Sequence, residues 1–133
     1  MSTQYVLMIT GDEDDQYITT STLSELGYDI PTRFLKRSNE LLPYLEVNGD
    51  PLLILMDYNA RPYNAIEILK ELKKHSAKQH IPVIVLSNLA SPEYVKECYS
   101  LGAVSFIVKP AGAAATKEKI ATFFKYWFSV AEI

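Results

Sequence analysis

Short continuous apolar runs alternate along this chain with segments whose apolar positions recur every three or four residues. Tyr5-Val6-Leu7-Met8-Ile9, Leu52-Leu53-Ile54-Leu55-Met56 and Ile81-Pro82-Val83-Ile84-Val85-Leu86 are unbroken, the pattern of parallel strands covered on both faces. Thr32-Arg33-Phe34-Leu35 and Val104-Ser105-Phe106-Ile107-Val108 read as two further strands. The acidic stretch Asp12-Glu13-Asp14-Asp15 opens a helix reaching Leu26, capped by one of its aspartates and ended by Gly27. A short helix starts near Asn39 with Pro43 early in it, and Asn48-Gly49-Asp50-Pro51 is a turn. Ile66, Leu69 and Leu72 mark a third helix. Ser91-Pro92-Glu93 starts a fourth, with a capping hydroxyl before a proline at the first helical position, and Gly102 closes it. The last helix runs from about Ala113 to near the C-terminus. Strands and helices in strict alternation predict one α/β domain over residues 1–133, a (βα)5 chain wound on both faces of a five-stranded parallel sheet.

Composition narrows the function. A chain of 133 residues buries roughly two-thirds of the surface it exposes when unfolded, enough for a core without disulfides or a structural metal. The single Cys98 has no partner, and no Cys/His group has zinc spacing, as expected of a reducing compartment. Met1-Ser2-Thr3-Gln4 puts no basic residue before an apolar run, and no apolar stretch approaches a membrane span. The expected address is the cytoplasm, with no membrane partner. Thirteen Lys plus Arg against sixteen Asp plus Glu leave no broad footprint for nucleic acid.

In an open parallel sheet, ligands bind beyond the carboxyl ends of the strands. The residues at those exits are Thr10-Gly11-Asp12, Asp57, Ser87 and Lys109. No glycine-rich phosphate loop follows the first strand, which argues against a flavin or nucleotide enzyme on this scaffold. Three fragments, Leu53-Ile54-Leu55-Met56-Asp57-Tyr58-Asn59, Ile81 to Ser87 and Leu101-Gly102-Ala103-Val104-Ser105-Phe106-Ile107-Val108-Lys109-Pro110, resemble in order and spacing the receiver domain of two-component response regulators. The resemblance covers almost the whole chain. It implies a flavodoxin-like fold and a signalling switch rather than an enzyme. Asp57 is then the phosphoacceptor, charged by a sensor histidine kinase or a histidine phosphotransfer protein. Lys109 and Ser87 contact phosphoryl oxygens, Ser87 and Phe106 act as the switch pair, and Asn59 offers its backbone carbonyl to a magnesium ion. A cis Lys109-Pro110 bond aims the lysine inward. With no room in this length for an attached output domain, the message leaves through contacts with a downstream protein.

The resemblance fails at one point. Receivers carry two adjacent acidic residues after the first strand to hold Mg2+. Counting back from Gly27 puts Thr10 and Gly11 there. Asp12 serves as a ligand only by bending back. Mg2+ binding is therefore doubtful, because the ion binds through carboxylates plus phosphate and water. With fewer like charges beside it, Asp57 is expected to ionise more easily and to pair with Lys109. Two readings stand: a phosphorylated switch with altered metal dependence, and a pseudo-receiver that binds partners without phosphorylation. Leu89, two residues past Ser87, is placed to shield the acyl phosphate from water. Phe123, Tyr126 and Phe128 cannot all share the stripe of Ile120, Phe124 and Trp127, which points to a homodimer or partner contact on the last helix.

Overall fold

The computed structural model describes residues 4–89 and 91–130; Met1, Ser2 and Thr3, read above for a leader, lie outside them. Strand β1 (Val6–Ile9) leads into α1 (Glu13–Glu25), then β2 (Thr32–Leu35), α2 (Leu41–Asn48), β3 (Leu53–Asp57), α3 (Ala65–Lys74), β4 (Val83–Ser87), α4 (Pro92–Ser100), β5 (Ser105–Val108) and α5 (Ala113–Ser129). The strands form one parallel sheet in the order β2-β1-β3-β4-β5.

Alternate residues of each strand feed two cores. Leu7, Ile9, Ile54, Met56, Val83 and Val85 meet Leu41 and Leu45 of α2, Ile68, Leu69 and Leu72 of α3, and Cys98 of α4. Val6, Met8, Leu53, Leu55, Ile84 and Ile107 meet Leu23 of α1 with Ile120 and Phe124 of α5. The unbroken apolar runs follow from this, since both faces of every central residue position are covered. The helices divide between the faces, and the chain reverses direction between β1 and β3, where an open sheet leaves its crevice. Gly27 takes φ +81° just past α1, a backbone shape that a side chain would strain.

Local details differ from the sequence reading. A 3-10 turn at Ser38–Glu40 precedes α2, placing Pro43 in its first turn, where no helical N–H is needed. Strand β3 carries Asp57 as its own last residue. The Ser91 hydroxyl oxygen accepts no helix N–H and so does not cap α4; the hydroxyl instead donates to the Glu93 carboxylate at 2.9 Å, a charge-assisted bond. The cis bond among the described residues is Arg61-Pro62, and Lys109-Pro110 is trans.

The surplus aromatics of α5 are mostly drawn in. Phe128 packs on Tyr28 and stacks on Phe124, while Phe123 stacks on Trp127. Tyr126, 56% exposed, is the one of the three left largely in water. The apolar face expected on this helix shrinks accordingly.

Candidate functional site

The carboxyl edge of the sheet is built by hydrogen bonds that continue each ladder by one residue. Thr10 N–H donates to the Leu35 carbonyl at 3.1 Å, Tyr58 N–H to Leu86 at 2.7 Å and Lys109 N–H to Ser87 at 2.8 Å. Asp57 pairs with Leu86, and Ser87 with Val108. The three neighbouring strands β3, β4 and β5 thus deliver Asp57, Ser87 and Lys109 to one edge.

The loop after β1 is committed to starting α1. The Asp12 carboxylate accepts the N–H groups of Asp14 and Asp15 at 2.9 and 3.2 Å, satisfying donors that a helix start leaves free. The buried Thr10 hydroxyl oxygen accepts the Asp12 N–H at 3.1 Å, and the Gln16 side chain donates to the Thr10 carbonyl. Asp12 is an exposed cap whose carboxylate is engaged by the first turn of α1.

The acid that turns inward is Asp15. Its carboxylate takes the Lys109 ammonium at 2.6 Å, with the two side chains only 11% and 8% exposed. The sequence carried little signal for it, because three of the five buried positions of α1 are polar. Asp15, Ile18, Thr19, Thr22 and Leu23 are the buried residues of α1, spaced as one helical stripe. Asp15 occupies a core position of that stripe, so its carboxylate needs a partner.

This pairing reverses one expectation. Lys109 pairs with Asp15, and no ion pair joins it to Asp57 among the described residues. Asp57 is harder to ionise than usual, not easier. Burial pushes its carboxyl up, and Asp15 and Asp12 add to the shift, while Lys109 and the Asn59 backbone N–H pull it down. The crevice thus holds negative charge beside Asp57, from Asp15 and Asp12.

The buried Ser87 hydroxyl oxygen accepts the Leu89 N–H at 3.1 Å, which leaves its own O–H free to donate. Leu89 is 69% exposed, so most of its apolar surface faces water. Phe106 is half-buried, its ring 6.3 Å from that of Tyr58. Tyr58 in turn stacks on Tyr94 of α4 at 5.0 Å. The resulting row joins β5, the residue after Asp57 and α4; Tyr58 and Tyr94 were not singled out in the sequence, because neither periodicity nor a motif marks a contact between separate elements.

A divalent ion fits these residues poorly. Gly11 has no side chain, the Asp12 carboxylate caps a helix and the Asp15 carboxylate holds an ammonium. No group of three His, Cys, Asp or Glu could hold a metal ion among the described residues. The described helices include none long and apolar enough to cross a membrane.

Residues 6–121 match the family model of the response regulator receiver domain. Among curated relatives, the rice two-component response regulator ORR13 is 26% identical over 86% of this chain and 93% of its own length. The chemotaxis protein CheY-3 of Vibrio cholerae is 28% identical over 90% of this chain and 91% of its own. A solved structure, the Mn2+-bound form of response regulator Rcp1, superposes with a TM-score of 0.89 over 98% of each chain at 20% identity, a likeness of fold. The chain belongs to the response regulator receiver domain family.

Proposed function

We propose that this receiver is a phosphoryl-accepting signalling switch with Asp57 as the acceptor. An Asp57 oxygen attacks the phosphorus of a phosphohistidine on a sensor histidine kinase or a histidine phosphotransfer protein. The O–P bond forms, the P–N bond breaks, and the imidazole leaves with the electron pair and takes up a proton. Little covalent chemistry falls to the protein in such a step, so its work is positioning and charge stabilisation. Lys109 supplies a cation to one phosphoryl oxygen and Ser87 a hydroxyl proton to another. Movement of Ser87 is felt by Phe106 and, through Tyr58, by Tyr94 of α4. The output is contact with a downstream protein by the domain acting on its own.

The observation that supports this most is the delivery of a carboxylate, a free O–H and an ammonium to the same edge by three adjacent parallel strands. Rcp1 has a Mn2+-bound form, but here Asp12 caps a helix and Asp15 holds an ammonium, so phosphorylation depends little on Mg2+. The decisive experiment is intact-mass analysis after treatment with acetyl phosphate, with and without Mg2+, beside Asp57→Asn. One phosphoryl adduct in the native chain and none in the variant is expected. No adduct with acetyl phosphate or with candidate kinases would leave the second reading, a phosphorylation-independent binding module. Thr10 and Gly11 at the acidic positions, and a lysine already held by Asp15, are what favour that alternative.

A further inference from the structure

Lys109 stands within electrostatic reach of two carboxylates and is bonded to one of them. Its ammonium meets Asp15 at 2.6 Å inside the protein, and it is also the main influence favouring the charged form of Asp57. Desolvated opposite charges in contact attract far more than exposed ones. In the resting domain the lysine therefore belongs to Asp15.

We propose that Asp15 is a positioning residue that holds Lys109 back from Asp57 at rest and yields it to the phosphoryl oxygens once Asp57 is modified. The inference rests on the reading of Asp57 as the acceptor. Before transfer, Asp15 and Asp57 compete for the ammonium as like carboxylates, and Asp15 has the contact. A phosphoryl group changes that balance, since it brings about two negative charges and three strong acceptor oxygens. Asp15 can survive the loss because it lies in the first turn of α1, where the positive end of the helix favours an anion. The cost falls on the forward step, which begins with its cation engaged elsewhere. Asp15 thus sets how readily the domain is phosphorylated without touching the reacting atoms.

The test compares the native chain with Asp15→Asn in acetyl phosphate, where an Asp57 oxygen bonds to phosphorus and acetate leaves with the electron pair. Adduct formation, followed by intact mass, should be about tenfold faster in the variant, the factor that roughly 1.4 kcal/mol makes in a rate. A native chain that is labelled, with a folded variant labelled no faster, overturns the role of Asp15 and leaves the switch intact. A silent native chain with a labelled variant supports the role, and silence in both, with acetyl phosphate and with candidate kinases alike, overturns both readings. A purely structural role is distinguished by the Lys109 ammonium signal in 15N NMR of the native chain, which also serves should Asp15→Asn not fold. Beryllium fluoride, a phosphoryl mimic, should move that signal; a signal that stays in place overturns the proposal.

Discussion

Replacing Lys109 by Met should destabilise this domain more than replacing Asp15 by Asn, although the two side chains share a single ion pair. Both are almost wholly removed from water, and breaking a desolvated pair by deleting one partner costs about 3–5 kcal/mol. Lys109→Met leaves Asp15 and Asp57 in the same crevice with no cation between them, and burial already disfavours the Asp57 charge. Its cost belongs at the upper end, about 4–5 kcal/mol. Asp15→Asn leaves the ammonium with Asp57 as a second counter-charge, which lowers the cost to about 2–3 kcal/mol. At about 3 °C per kcal/mol for a chain of this size, the Asn variant should lose roughly 6–9 °C in Tm. Urea denaturation at pH 7 followed by far-UV circular dichroism gives both values if the slopes are unchanged. The double variant Asp15→Leu/Lys109→Met should cost less than Lys109→Met alone, since no buried charge is orphaned. The reasoning fails if Asp15→Asn proves as damaging as Lys109→Met, or if the double variant costs the sum of the two.

Three further outcomes are expected. The Asp57 carboxyl, followed by 13C NMR, should titrate above its ordinary 3.8 because burial disfavours its charge. The folded domain then holds a proton that the unfolded chain has released, so this group's contribution to stability falls as pH rises above 3.8. Asp57→Asn should therefore be more stable than the native chain at pH 7, by a margin that shrinks on acidification, and a variant less stable at pH 7 would contradict this. Burial pushes the Cys98 thiol up to about 11, so a disulfide reagent at pH 8 should label it only after unfolding; rapid labelling of the folded chain would show that it is not sealed in the core. Phe124→Ala should cost about 3–5 kcal/mol by denaturation, because its ring, carried by α5, is fully buried against the sheet and packed by Phe123 and Phe128; a loss under about 1 kcal/mol would mean that the face does not depend on it.

The order of elements was legible because both faces of the sheet are covered, so each central strand is written as an unbroken apolar run. Asp57, Ser87 and Lys109 were legible for a related reason, since a polar residue ending such a run must stand at the sheet's edge. The direction in which a polar side chain points was not. Asp12 and Asp15 belong to the same acidic run, and local chemistry treats them alike as helix-start acids. Asp12 is the extended N-cap, its carboxylate folded over the first turn, while Asp15 lies inside α1 on its buried stripe, where the exit of β5 brings Lys109 to it across 94 positions of sequence. The chain by itself determined which residues reach the crevice. Only the tertiary structure decided which carboxylate owns the lysine, because in a desolvated crevice that choice depends on distance and burial, and neither is written in the spacing of charges along the chain.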